Sequence, residues 1–197
     1  MEFSVLNESD LHKTLKTLYS VKTNGKSEVK KDGFIFDILT DKNEIIEIQT
    51  KNLSKMYKKI EYAIENKLKI KIVHPVIIST KIITFDQTKN TYTSRKSPKK
   101  GCIYDIFKEM TKIYTFLLDK NFELDIVYIN MIEERIKNKD PIQSKNNKRR
   151  YKKNWIKTNK KLDEIIKTET FNSKEKYIEL LPQNLQNEFC AADLAKL

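Results

Sequence analysis

Residues 34–50 read Phe34-Ile35-Phe36-Asp37-Ile38-Leu39-Thr40-Asp41-Lys42-Asn43-Glu44-Ile45-Ile46-Glu47-Ile48-Gln49-Thr50. Two short apolar runs, rich in β-branched and aromatic residues, flank a tetrapeptide with turn chemistry, so the spacing predicts a buried hairpin. A turn centred on Lys42 sets Asp37 opposite Glu47 on one side of the sheet, with Cβ atoms about 4.5–5.5 Å apart. Like charges at that distance repel unless a cation lies between them. A hard divalent ion with oxygen ligands meets the need, and Mg²⁺ or Mn²⁺ suits a site that also takes phosphate. A two-residue turn shifts the register by one and sends the acids to opposite faces. The plainer alternative is a pair of solvent-facing carboxylates on an edge hairpin. Against it, both acids stand within apolar strands, where an unpaired charge is costly.

Working outward, Leu11, Leu15, Leu18 and Tyr19 share a helical face within residues 8–19, with Asn7 or Ser9 as cap. The polar stretch 22–31 leads to Gly33 and the hairpin. Residues 52–66 read as a second helix, with Leu53, Met56, Tyr57, Ile60 and Ile64 inward and Lys55, Lys58, Lys59 and Glu65 outward. Strands are expected at 68–73, ended by Pro75, then at 76–85 and 122–129. A loop spans 88–101 and a helix 103–118. Beyond Met131 the composition turns basic, and helical pattern returns around 162–166, from 174 to 181 and at 192–197. The expected fold class is α/β: a mixed sheet flanked by helices over residues 1–136, a basic linker or DNA-contacting segment at 137–161, and a mainly helical extension at 162–197.

The 197 residues carry a formal net charge of +12, from 39 Lys and Arg against 27 Asp and Glu, which makes polyanions the natural partners. A Lys-rich, AT-rich coding sequence gives the same composition without a nucleic-acid role. Hydrophobic residues at 39% are enough for a packed core. Cys102 and Cys190 lack metal or disulfide spacing, which fits a reducing compartment. The first ten residues have no apolar signal segment, and the apolar stretch 70–85 is broken by Lys71, His74, Pro75 and Lys81. A cytoplasmic protein without a membrane partner is expected.

With those residues in place, the chain resembles the PD-(D/E)XK nuclease superfamily, a restriction-endonuclease-like fold. The order helix, acidic strand, ExK-like strand, helix, strand covers residues 8–74. Closer still, Asp32-Gly33-Phe34, Asp37-Ile38, Ile46-Glu47-Ile48-Gln49-Thr50 and Ser97-Pro98-Lys99-Lys100-Gly101 resemble a bacterial group with this core and a C-terminal winged helix. The resemblance implies a hydrolase of DNA backbone phosphodiesters. It makes Asp37 and Glu47 metal ligands, the Ile48 carbonyl a third, and Glu28 or Asp32 accessory acids. The superfamily's Lys falls at Gln49. Lys can stabilise a developing anion or lower the pKa of an attacking water, whereas a neutral amide orients that water, so a DNA-binding protein on an inactive nuclease scaffold stands as the alternative. Lys51 or Lys55 is a possible substitute.

Nucleic-acid contact is expected from Lys96, Lys99 and Lys100 in the Ser-Pro loop, and from Arg149, Arg150, Lys152 and Lys153 with Trp155 as a stacking aromatic. A buried Trp155 on a linker is the alternative there. His12 and His74 lack an evident partner and read as structural or solvent-facing. Residues 180–182 and 189–197 resemble the opening of a winged helix that stops before its recognition helix. A homodimer or a partner chain covering that last helix is therefore expected, with little base discrimination.

Overall fold

The computed structural model describes residues 9–144, 150–186 and 188–194. Helix α1, Asp10–Thr23, is capped by the Ser9 side chain. Strands β1, Lys26–Lys31, β2, Phe34–Leu39, and β3, Ile45–Ile48, follow as an antiparallel meander. A 3₁₀ turn at Leu53–Met56 leads into α2, Tyr57–Glu65. Strand β4, Ile70–Asp86, then runs parallel to β3, and β5, Thr91–Lys96, folds back on its far half. Strand β6, Phe122–Ile142, lies parallel to β4, and β7, Lys153–Phe171, pairs antiparallel with β6. Short helices α3, Lys174–Ile178, and α4, Ala191–Leu194, come last. The result is one mixed seven-stranded sheet in the order β1-β2-β3-β4-β6-β7, with β5 beside β4.

Alternation along the strands divides the core in two. On one face α1 buries Leu11, Leu15 and Tyr19 against Ile38, Ile46, Ile48, Val73 and Val127. On the other α2 buries Met56, Ile60 and Ala63 against Ile45, Ile70, Ile72 and Leu124.

The expected α/β class and flanking helices are present. Residues 22–31 supply a strand rather than a lead-in, because Asp32 and Gly33 both take positive φ and close a tight hairpin between Lys31 and Phe34. Pro75 does not end a strand. The Val73 carbonyl faces β3, where it accepts from the Gln49 amide at 2.9 Å, so residue 75 faces the same way two positions on. β3 has ended by then, and the missing N–H leaves no ladder bond unmade. The expected helix at 103–118 is instead two 3₁₀ pieces, Ile103–Lys108 and Tyr114–Phe116. Its buried residues Ile106, Met110 and Ile113 recur at or near the three-residue period of that form.

The largest difference lies in 137–171. The segment expected as linker and helix forms the end of β6 and nearly all of β7. Its lysines reach diagonally across the ladder to acids of β6, as in Lys157–Glu133 and Lys161–Glu134, and cross-strand pairs of this kind make an edge strand of a charge run. From His74 to Asp86, about 40 Å at ~3.3 Å per residue, β4 continues past the end of β3. With β5, β6 and β7 it forms an arm that rises beside the top of the hairpin. At the C-terminus the structure contains α3 and α4 where a longer helical extension was expected, and residues 195–197 of the last expected helix lie outside the described residues. Among the described residues no helix is long and apolar enough to cross a membrane.

Candidate functional site

Strands β2 and β3 pair at Leu39–Ile45 and Ile38–Ile46, and the ladder stops there. The next step of that register sets Asp37 opposite Glu47, as the turn at Lys42 predicts. Here the strands part and side chains enter the gap. The Ile48 amide donates to Asp37 Oδ2 at 2.8 Å, and the Asp37 amide donates to Glu47 Oε1 at 3.2 Å. The Asp37 carboxylate thus takes the place of the Phe36 carbonyl that a continued ladder would offer the Ile48 amide.

The outer partners come from opposite layers, which differs from the same-side arrangement expected. His12 of α1 brings Nε2 to 3.5 Å from Asp37 Oδ2. Lys59 of α2 brings Nζ to 2.8 and 2.7 Å from the two oxygens of Glu47. The same ammonium donates to the Ile35 carbonyl at 2.5 Å and lies 5.6 Å from the Phe36 ring centre. Opening of the ladder accounts for the difference: a side chain in the gap is reachable from either face, one on a closed ladder only from its own.

Burial alone raises Asp37, but the His12 contact and the Ile48 amide outweigh it, with Lys59 adding to them, and hold the carboxyl below its ordinary range. Glu47 is 2% exposed, and burial dominates there, pushing it up to about 7 with help from Asp37 and against Lys59. Two adjacent acids are thereby driven apart in acidity, as acid–base chemistry on a carboxylate pair requires.

Asp37, Glu47 and Ile48 are brought together. Gln49 is not among them: its amide donates to the Lys51 and Asn52 carbonyls and holds the turn in which Asn52 has positive φ. The Gln49 carbonyl contacts His74 Nδ1 at 2.7 Å, so His74 is a buried brace, kept below the usual histidine range chiefly by burial. Glu28 is held by Lys16 at 2.8 Å and lies near enough to Asp37 to feel its charge, whereas Asp32 accepts from the Tyr62 hydroxyl away from the gap. Lys96, on β5, and Lys99 and Lys100, in the following loop, are exposed. Arg150 lies 5.3 Å from the Tyr151 ring, Lys152 is exposed, and Lys153 lies 5.3 Å from Trp155, whose ring is covered by Arg135 at 3.6 Å. Arg149 lies outside the described residues.

Sequence reasoning missed Lys59 and set His12 aside. The signal for Lys59 was the parallel β3-α2-β4 crossover, which returns the first turn of α2 over the upper end of β3. Among the described residues no three His, Cys, Asp or Glu side chains gather at one point. The donor set still fits Mg²⁺, which takes one or two carboxylates and fills its remaining positions with water and phosphate oxygens. Asp37 Oδ1 has no protein partner among the described residues, and Glu47 is adjacent.

The fold and gap define an α/β protein with a split-strand carboxylate pair and a helix-borne lysine. The chain belongs to the family described as Domain of unknown function (DUF8091), which matches residues 9–172. It is 29% identical over 196 residues to an uncharacterized protein of Treponema pallidum (strain Nichols), an alignment covering all of this chain and 74% of that protein. No solved structure matches it.

Proposed function

We propose that the chain is a metal-dependent DNA endonuclease of PD-(D/E)XK type, with its site in the gap between β2 and β3. The observation that carries this reading is the pairing of Asp37 and Glu47 across the broken ladder, with Lys59 on Glu47. The order α1-β1-β2-β3-α2-β4 also agrees with the core that the resemblance implies. Mg²⁺ or Mn²⁺ held by Asp37 and Glu47, with the Ile48 carbonyl as a third ligand, would polarise a phosphoryl oxygen and lower the pKa of an attacking water.

The protein's own groups have separable tasks. Asp37, kept ionised, is a ready ligand whose direction is fixed by the Ile48 amide. Glu47, which burial pushes up to about 7, would have to be ionised to serve as the second ligand. Lys59 takes the charge-stabilising role that the superfamily gives to the residue at Gln49, reaching the same place from α2. It also neutralises Glu47 until another cation arrives. His12 steadies Asp37, and Gln49 keeps the turn after β3 in shape.

A second reading, DNA binding without cleavage, is favoured by one observation: Gln49 stands at the lysine position and its amide is committed to the turn. Initial rates of plasmid cleavage in Mg²⁺ or Mn²⁺ separate the two. The nuclease reading expects cleavage by the wild type and its loss in Asp37→Ala and Glu47→Ala, each still folded. Cleavage at the wild-type rate by either variant refutes it, and binding without cleavage by the wild type selects the second reading.

A further inference from the structure

Where the arm leaves the core, its α1 face carries charges that the gap does not use. Glu133, on β6, is 6% exposed and is held by Arg135, at 2.5 Å, and by Lys157 of β7. Arg135 is pinned in turn against Trp155. Directly opposite Glu133 in the ladder stands Lys160, half-buried, on the face that Met131 and Leu162 share with α1. Among the described residues no carboxylate pairs with its ammonium, although Glu133 is close enough to act on it. Burial pushes Lys160 down to about 8, and the like charges of Lys51, in the turn after β3, and of Lys157 add to it. Lys51, Lys157 and Lys160 come from two distant stretches of chain, and the carboxylate near them, Glu133, is already paired with Arg135 and Lys157. A half-buried cation crowded by others gains when an anion arrives, because the anion relieves both repulsion and desolvation.

We propose that Lys51, Lys157 and Lys160 form a phosphate-binding step on which the backbone of a nucleic-acid strand rests as it passes from the arm to the gap at Asp37 and Glu47. This rests on the nuclease reading and names the surface that positions its substrate. Lys51 ties the step to the gap, because it lies in the turn that Gln49 holds immediately after β3. The Arg135 and Lys157 contacts fix Glu133, so the step keeps its shape whether or not phosphate is bound.

The test is fluorescence anisotropy of a labelled DNA duplex with the full chain, over a range of salt. Variants are the double substitution Lys51→Gln with Lys160→Gln, its charge-reversed form Lys51→Glu with Lys160→Glu, and a control, Lys30→Gln on edge strand β1 with Lys42→Gln in the turn between β2 and β3. Lys157 is left intact to keep Glu133 paired. The expected result is affinity at least tenfold weaker in the first double variant and weaker still in the second. The slope of log K against log salt should fall by about 1 for each lysine removed, with the control unchanged. Wild-type affinity and slope in both step variants overturn the proposal and leave the nuclease reading standing. A wild type with no salt-dependent binding overturns both.

Discussion

Glu47→Gln is the sharpest probe of the gap, because its effect is a pH dependence rather than a single number. Glu47 sits at about 7 in the folded protein against 4.5 for an ordinary glutamate. The folded state therefore favours the protonated acid. That contribution is fully present below pH 4.5, declines as pH rises through the window to 7, and is absent above it. A gap of this size is on the order of 3 kcal/mol. Because 2% exposure leaves almost no solvent screening, most of it should be expressed. The amide introduced by Glu47→Gln cannot titrate. Wild-type stability minus variant stability should therefore fall by roughly 3 kcal/mol between pH 4.5 and 8, whatever constant offset the amide introduces. Urea unfolding at five pH values across that range measures it. His74, held below its ordinary range chiefly by burial, is common to both proteins, so its titration cancels in the difference. Parallel stability curves for wild type and Glu47→Gln would refute the argument that burial outweighs Lys59.

Two further outcomes test the frame around the gap. Asp125, 2% exposed, accepts from Tyr19 Oη at 2.9 Å and Thr170 Oγ1 at 2.6 Å with Lys71 3.6 Å away, so Asp125→Ala should cost about 3 kcal/mol in chemical denaturation. A loss under about 1 kcal/mol would mean that water replaces those bonds. Gln49→Leu, which removes the donor to the Lys51 and Asn52 carbonyls, should cost about 1 kcal/mol by thermal melting, and an unchanged melt would remove the turn-bracing role.

The hairpin was legible because its information is local. Alternation, turn residues and register all lie within residues 34–50, and the pairs Ile38–Ile46 and Leu39–Ile45 follow from them. Asp32-Gly33 carried an equally local hairpin signal, masked by the polar character of exposed β1. β7 was illegible for a different reason. Lys157 and Lys161 read as part of a solvated charge run until β6 supplies Glu133 and Glu134 across the ladder, and no window of one strand contains that pairing. Lys59 was hidden likewise. Helical periodicity places it on the outer side, yet its long stem passes beside Phe36 and returns the ammonium to the gap. The acids of the site lay in one short stretch, and the side chains that answer them, His12 and Lys59, came from α1 and α2.

In the proposed site Asp37 and Glu47 would hold a divalent ion in the gap, with Lys59 its competitor for Glu47. Mn²⁺ binding, followed by electron paramagnetic resonance on the purified chain, tests it directly. The expected result is one bound ion in the wild type, affinity at least tenfold weaker in Asp37→Ala and in Glu47→Ala, and tighter binding in Lys59→Met, where the competing ammonium is gone. Wild-type binding in both acid variants, or no bound ion in the wild type or in Lys59→Met, would contradict it.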